Sequence, residues 1–210
     1  MKKKLLILYQ KFFNFFGPQH WWPGDSPWEI AVGAILTQNT NWTNVEKAIN
    51  NLKKEKILSP EKILNCEIRK LETILKPSGY FRVKAKRLKN LCKWWLEEKN
   101  KQKFEILSMR KSLLSVNGIG RETADSILLY AFNLPIFVID AYTRRIMARH
   151  FNIDYRTEYD DLQRLFMENL PSDHLLFNEY HALIVCAGKT FCKKNFCSKQ
   201  CPFLDLLKKK

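Results

Sequence analysis

The sequence contains no hydrophobic run that approaches the roughly 20 apolar residues a transmembrane helix needs. This absence excludes a membrane-spanning helix. The opening residues Met1 to Lys4 precede an apolar stretch, as in a secretory signal peptide, but polar residues interrupt the stretch and no small-residue cleavage site follows. We therefore expect a cytoplasmic protein.

Acidic residues are also scarce. The 21 Asp and Glu residues face 36 Lys and Arg residues, which gives a formal net charge of +15. Such a charge is typical of proteins that bind nucleic acid, although a solvated lysine-rich surface has the same composition. With 210 residues, 46% of them hydrophobic, the chain can bury a proper core in one large domain or two small ones, which excludes a disordered protein.

Cysteines are few, and most of them are close together. In a cytosolic chain, six cysteines indicate thiols or metal ligands before disulfides. Five, four and three residues separate the last four, which are Cys186, Cys192, Cys197 and Cys201. Their closeness predicts a metal site, with structural zinc and free thiols as alternative interpretations.

A glycine turn joins two predicted helices at residues 107–115 and 121–132. Gly118 and Gly120 permit positive φ in this turn, and its uncovered N–H groups at a helix N-terminus suit a phosphate. An ordinary turn between helices is the alternative. Further on, the apolar residues 136–139 lead to Asp140 and then to a basic helix, so Asp140 stands where a helix N-cap is expected.

The turn, its distance from Asp140 and the sequence around both resemble the helix-hairpin-helix DNA glycosylases of the endonuclease III superfamily. The resemblance covers nearly all of the chain and implies an all-α fold in two lobes. Residues 27–132 would form a helical barrel that ends in the hairpin. Residues 1–26 and 133–210 would form the second lobe with the cysteine loop, and the active site would lie between the lobes. Asp140 would be the catalytic carboxylate.

Aromatic residues extend the resemblance to a subgroup that excises 3-methyladenine. The matching elements are Trp21-Trp22-Pro23, the Leu-Thr-Gln-Asn-Thr segment at residues 36–40, and Trp42. They imply a base-stacking pocket formed by Trp21, Trp22, Pro23 and Trp42. Packing of the paired tryptophans into a seam between domains is the alternative interpretation.

DNA contacts follow from the same resemblance and from charge. Gln38 matches a residue that fills the gap left by an extruded nucleotide, and Tyr80 matches a wedge between bases; a polar helix end and a core tyrosine are the alternatives. Lys84 belongs to a basic cluster at a predicted helix start, where cations are unfavourable unless a phosphate is near. The predicted DNA-binding residues are therefore Gln38, Tyr80, Lys84, Gly118, Gly120 and Arg121.

Two positions depart from the superfamily pattern. Glu122 occupies the place of the lysine that forms a Schiff base in bifunctional members, and a carboxylate cannot form an imine. The cysteine intervals also differ from those of the family's [4Fe–4S] site, so Cys186 would have to serve as the fourth ligand. We expect a [4Fe–4S] cluster on these cysteines, with zinc as the lesser alternative.

The predicted function is base excision repair by a monomeric, monofunctional N-glycosylase. It would use water to release an alkylated purine such as 3-methyladenine from double-stranded DNA. Three alternatives stay open: an endonuclease III-like glycosylase for oxidised or mismatched pyrimidines with AP lyase activity, a non-catalytic DNA-binding module, and a cluster-bearing redox or structural protein that binds DNA incidentally.

Overall fold

The protein is built from α-helices, as the sequence predicts. A computed structural model describes residues 1–98, 105–198, 201 and 203. Within these residues no strand is present, and the only β-type pairing is an isolated bridge between Cys192 and Cys197. The helices are α1 (Lys2–Phe16), α2 (Pro27–Leu36), α3 (Trp42–Lys54), α4 (Pro60–Asn65), α5 (Ile68–Leu75), α6 (Phe81–Glu98), α7 (Ile106–Leu114), α8 (Arg121–Ser126), α9 (Ala141–Phe151), α10 (Tyr159–Asn169) and α11 (His174–Thr190).

The chain divides into two compact units. One consists of Met1–Trp22 with Asn133–Lys210, and the other of Pro23–Phe132. No helix in the described part of the chain is both long and apolar enough to cross a lipid bilayer.

Helix α2 forms the centre of the Pro23–Phe132 unit. Its side chains are buried on nearly every side, because its sequence is apolar all round, and it packs against α3, α6 and α8. The start follows the sequence signals: the hydroxyl of Ser26 accepts a hydrogen bond from the Glu29 N–H at 3.2 Å, and Pro27 takes the first helical position. The predicted helix at residues 121–132 is divided, since a π-helical turn at Ile127–Ala131 follows α8 and packs on α2.

In the other unit, α11 packs against α1 and α9. Helix α11 begins at His174, because the carboxylate of Asp173 caps it by accepting a hydrogen bond from the Leu175 N–H at 2.8 Å. Gly188 allows close approach of α9: a Cβ there would lie 2.2 Å from Cδ1 of Tyr142. Only a residue without a side chain fits this contact.

A buried, non-helical segment leads into Asp140. Its residues 136–139 are apolar and buried, but they belong to no strand, so their backbone groups need partners from elsewhere. Helix α10 provides them. The Tyr159 hydroxyl accepts a hydrogen bond from the Ile139 N–H at 3.2 Å, and the Gln163 amide donates to the Phe137 carbonyl at 2.6 Å. These bonds fix the backbone immediately before Asp140.

Candidate active site and nucleic-acid interface

Asp140 caps helix α9 and remains almost buried, with 9% of the residue exposed. One carboxylate oxygen, Oδ1, accepts hydrogen bonds from the Thr143 N–H at 2.7 Å and the Thr143 hydroxyl at 2.9 Å. The other, Oδ2, lies 3.7 Å from Nε2 of His181 on α11. The predicted cap is confirmed, but it uses only Oδ1. Capping therefore leaves the second oxygen available for chemistry.

The hairpin between α7 and α8 depends on Gly118. Its φ is +97°, and a Cβ at this position would lie 2.2 Å from Cγ of Arg87, so both backbone and space require glycine. Gly120 is the N-cap of α8, with no heavy atom within 4 Å of the place a Cβ would take, beyond its chain neighbours. Arg121 is exposed directly after it. The hairpin thus presents an open backbone turn followed by a basic side chain.

An ion pair joins the two helices of the hairpin. Arg110 on α7 donates from Nε to Oδ1 of Asp125 at 2.7 Å and from a terminal nitrogen to Oδ2 at 3.0 Å. Asp125 is fully buried on α8. Because loss of one partner would leave a buried charge uncompensated, this bidentate pair locks α7 against α8 and keeps the turn rigid.

Gln38 braces the hairpin from within the same unit. Its amide nitrogen donates to the Gly118 carbonyl at 3.1 Å and to the Thr123 hydroxyl at 3.0 Å, and its amide oxygen accepts from Arg87 at 2.5 Å. Both ends of the amide are therefore engaged inside the protein. To enter a gap in a duplex, as the sequence predicts, Gln38 would have to exchange these bonds for others.

The predicted pocket residues fall in both units. Trp21 and Trp22 lie edge to face, with ring centroids 5.7 Å apart, and the ammonium of Lys189 lies 5.5 Å from the Trp21 centroid. Pro23 is exposed at the start of the other unit. Trp42 is half-buried in the first turn of α3, where its indole N–H donates to the Glu46 carboxylate at 2.8 Å. Trp42 is therefore next to a negative charge.

Residues 32–172 match the HhH-GPD superfamily of base excision DNA repair proteins. The chain belongs to this superfamily. A protein of Methanocaldococcus jannaschii, named as a candidate DNA repair glycosylase, is 46% identical over 204 residues, which cover 94% of this chain and 93% of the relative. Endonuclease III of Thermotoga maritima is 27% identical over 167 residues, covering 80% and 75%. The chain is thus a DNA glycosylase of base excision repair.

Solved structures agree with this assignment. The H. pylori 3-methyladenine DNA glycosylase bound to 1,N6-ethenoadenine has a TM-score of 0.73 at 28% identity, covering 89% of this chain and 97% of its own. A non-covalent endonuclease III–DNA complex has a TM-score of 0.84 at 21% identity, covering 99% and 95%. The second likeness shows the fold alone.

Lys84 does not serve as the DNA contact that the sequence predicts for this glycosylase. Only 1% of the residue is exposed, and its ammonium donates to the Leu36 carbonyl at 2.9 Å and the Ser78 carbonyl at 2.6 Å. Burial, and secondly the neighbouring Arg87, lower the pKa of Lys84 to about 8. Lys84 therefore connects the end of α2 to the turn before α6. The predicted DNA contact is wrong because Lys84 lies on the face of α6 that packs against the core.

Tyr80 has the exposure that a wedge requires. It lies in the turn before α6 with 71% of its surface exposed and a φ of +44°, a backbone conformation unfavourable for a bulky side chain. The core-tyrosine alternative is therefore excluded. Arg82 and Lys86 on the same stretch of chain are exposed, whereas the positive charge of Lys84 is buried.

Arg149 organises the cysteine loop. It donates to the Cys192 sulfur at 2.8 Å, and its guanidinium also bonds the carbonyls of Lys193, Lys194 and Phe196. Cys197 contacts Cys201, and burial raises the pKa of Cys197 to about 11. In the sequence, Arg149 shows no signal of this role beyond its place in a basic helix.

The four cysteines do not form a complete ligand set. Cys186 hydrogen-bonds Thr190, one turn further along α11, and burial raises the pKa of its thiol. Within the described residues, no three His, Cys, Asp or Glu side chains are arranged to hold a metal ion. Cys192, Cys197 and Cys201 lie close together in the loop without the arrangement of a metal site, and Cys186, the expected fourth ligand, is bonded to Thr190 instead.

Lys84→Met should destabilise the protein by about 1–3 kcal/mol, because two buried carbonyls lose their donor. Lys86→Met, two residues away on the exposed surface, is the matched control and should change stability by about 0.5 kcal/mol or less. Urea unfolding at pH 7 measures both. In DNA binding, Lys86→Met should reduce the slope of log affinity against log salt by about 1, whereas Lys84→Met should leave it unchanged. The reverse pattern would show that Lys84 contacts phosphate.

Proposed function

We propose that this glycosylase is monofunctional and uses water to release an alkylated purine, such as 3-methyladenine, from DNA. The observation that carries the proposal is Glu122, which is exposed in the first turn of α8 directly after the hairpin. The position that provides the amine for a Schiff base in bifunctional relatives holds a carboxylate here, and a carboxylate cannot form an imine with the sugar carbon. Hydrolysis is then the remaining route to base release.

Asp140 is proposed as the catalytic carboxylate. When the bond between the base and the sugar breaks, its electron pair leaves with the base and positive charge develops on the sugar ring. A nearby carboxylate stabilises this oxocarbenium-like state, as in other glycoside hydrolysis, and water then adds to the anomeric carbon and loses a proton. Burial strengthens the effect, since charges interact more strongly where water is excluded. Thr143 fixes Oδ1, which keeps the carboxylate in one orientation.

The proposed substrate class rests on aromatic residues and charge. An enzyme that acts on a base within a duplex must extrude it and hold its flat face, and we assign this contact to Trp21, Trp22, Pro23 and Trp42. An alkylated purine carries positive charge, so an indole face binds it better than a neutral base by about 0.5–2 kcal/mol. The Glu46 carboxylate beside Trp42 adds attraction for a cation. The ligand named for the H. pylori structure, 1,N6-ethenoadenine, is a modified purine.

The hairpin is proposed to bind DNA phosphates through the backbone at Gly118 and Gly120 and through the side chain of Arg121. Tyr80 would act on the duplex as a wedge, for which its exposure suits it. Gln38 is proposed to couple phosphate binding by the hairpin to extrusion of the base. It would give up its bonds to the hairpin when it enters the gap that the extruded nucleotide leaves in the duplex. The positive net charge of the chain supports phosphate binding in general.

A second candidate function is excision of oxidised or mismatched pyrimidines. The relatives named endonuclease III, at about a quarter sequence identity, favour it. If strand cleavage accompanied base release, an amine elsewhere in the chain would have to form the Schiff base, because Glu122 occupies the position of the usual lysine. The identity of the base that the protein releases distinguishes the two functions.

The cysteine loop is proposed to hold a [4Fe–4S] cluster, with structural zinc as the alternative. Cys192, Cys197 and Cys201 would provide three thiolates, and Cys186 would have to exchange its bond to Thr190 to provide the fourth. Such a group would stabilise the loop, and none of the proposed reaction steps passes through it.

Base release without strand cleavage is the first expected outcome. Duplexes that each carry one lesion are incubated with the protein, and released base and strand breaks are assayed separately. Wild-type protein should release 3-methyladenine without strand breaks and form no adduct with borohydride. Glu122→Lys, which restores the amine, should form a covalent protein–DNA adduct that borohydride traps. Efficient trapping of the wild type would refute the monofunctional proposal.

Asp140→Asn should keep the cap and the melting temperature, because Asn caps nearly as well as Asp, but lose base release by orders of magnitude.

Replacement of Trp42 tests selection by charge. Trp42→Ala should weaken excision of 3-methyladenine or 7-methylguanine by about 1–3 kcal/mol, the usual contribution of base stacking on an aromatic side chain. Trp42→Leu should rescue little, since it restores apolar bulk but not the electron-rich face. Non-specific DNA affinity should not change, because it comes from phosphate contacts. Normal activity of Trp42→Leu, or wild-type preference for thymine glycol or uracil, would support the pyrimidine function instead.

Metal analysis tests the cofactor proposal. Anaerobically purified protein should contain iron and acid-labile sulfide, and Cys197→Ser should lose them because the loop then lacks one thiolate. Cys66→Ser is the control and should retain both, since Cys66 lies in the other unit. Stoichiometric zinc in a colourless protein would show a closed tetrahedral site in place of the cluster.

A further inference from the structure

The two oxygens of the Asp140 carboxylate have different surroundings. Thr143 engages Oδ1 with two hydrogen bonds, as described above, whereas Oδ2 faces Nε2 of His181 at 3.7 Å. Only 4% of His181 is exposed. The imidazole therefore contacts a nearly buried carboxylate on the side that the helix cap does not use.

An aromatic cluster holds His181 in this place. Its ring lies edge-on to Phe137, with centroids 6.5 Å apart and planes at 89°. Phe137 in turn stacks on Phe166 of α10, with centroids 4.0 Å apart and planes at 9°. Because Phe137 belongs to the segment that leads into Asp140, one packed group fixes both the imidazole and the carboxylate. The distance between them is therefore set by the core of the unit.

We propose that His181 is a positioning residue for the glycosylase reaction, which donates its Nε2 proton to Oδ2 of Asp140 and so sets the plane of the carboxylate. The inference rests on the proposed catalytic role of Asp140. A distance of 3.7 Å is slightly long for a hydrogen bond, and catalytic hydrogen bonds commonly shorten when substrate binds. With Thr143 on one oxygen and His181 on the other, the carboxylate cannot rotate about its Cβ–Cγ bond.

The charge state of His181 matters for this role. Burial lowers its pKa below the ordinary value of 6.5, while Asp140 acts in the opposite direction, so the imidazole is neutral at pH 7. Helices α1 and α9 pack against α11. Tyr9 of α1 contacts Tyr180, and Asp140, the N-cap of α9, is the charged group of the described residues that shifts the pKa of His181. A neutral donor orients the carboxylate without cancelling its negative charge.

Protonation of His181 should reverse this benefit. An imidazolium beside Oδ2 would neutralise the charge that stabilises the oxocarbenium-like sugar, so base release should fall as pH decreases through the lowered pKa of His181. Stability should change in the same direction. The pKa of His181 is lower in the folded state than in the unfolded chain, so the unfolded chain binds the proton more tightly. The free energy of unfolding therefore decreases as pH falls from the ordinary pKa of 6.5 toward the lowered pKa of the folded state.

Single-turnover base release across pH tests the proposal on the full-length protein with a duplex containing 3-methyladenine. His181→Phe keeps a ring but removes the donor, and should slow release at pH 7.5 by about 10- to 100-fold, the usual effect of losing a hydrogen bond to a charged group. DNA affinity should not change. His181→Gln places an amide N–H near the position of Nε2, and should recover much of the rate without the decrease at acid pH. In an Asp140→Asn background, His181→Phe should have no further effect.

A second measurement does not depend on activity. The NMR signals of the His181 ring should titrate at a lower pH in Asp140→Asn than in the wild type, because the carboxylate that raises the pKa is absent. An unchanged titration would show that the two groups do not interact and would overturn the proposal, even if His181→Phe failed to fold. Wild-type rate and pH profile in a folded His181→Phe would overturn it as well, while the loss in Asp140→Asn would still support the role of Asp140. Full activity of Asp140→Asn would instead refute the proposed function on which this inference rests.

Discussion

The hydrogen bonds between Asp140 Oδ1 and Thr143 determine how the candidate catalytic group is presented. They begin α9 at a defined residue and stop the carboxylate from turning freely, while Oδ2 stays outside the cap. The buried segment before Asp140 depends on Tyr159 and Gln163 for its backbone bonds, so α10 controls the same side chain from the other direction. A carboxylate held on both sides loses little entropy on reaching the geometry of the reaction.

The hairpin illustrates the same principle in the other unit. The proposed phosphate-binding role of this turn requires N–H groups that point in fixed directions, and three features of the structure hold the turn in place. Gly118 provides the positive φ, Gln38 bonds its carbonyl, and the Arg110–Asp125 pair holds the flanking helices. Several polar residues of this region thus maintain the turn, while Arg121 and Tyr80 are exposed on the surface.

Local patterns in the sequence predicted much of the fold. The two helices predicted on either side of the glycine turn correspond to α7 and to α8 with the π-helical turn that follows it. The cap at Asp140 was predicted correctly because capping involves residues only three positions apart. The superfamily could also be predicted from the sequence, since the hairpin glycines and Asp140 are close together in the chain. The burial of Lys84 was missed because a run of basic residues looks alike on the inner and outer faces of a helix.

The sequence by itself determined the helical class, the hairpin, the cap at Asp140 and the presence of Glu122 where bifunctional relatives have a lysine. Each of these is a property of one residue or of short segments. Only the tertiary structure decided which polar groups meet. His181 reaches Asp140, Arg149 reaches Cys192, and Gln38 reaches Gly118 across long stretches of chain. These contacts depend on how whole helices pack, and helix packing is set by the summed shape of many side chains, which no single motif records.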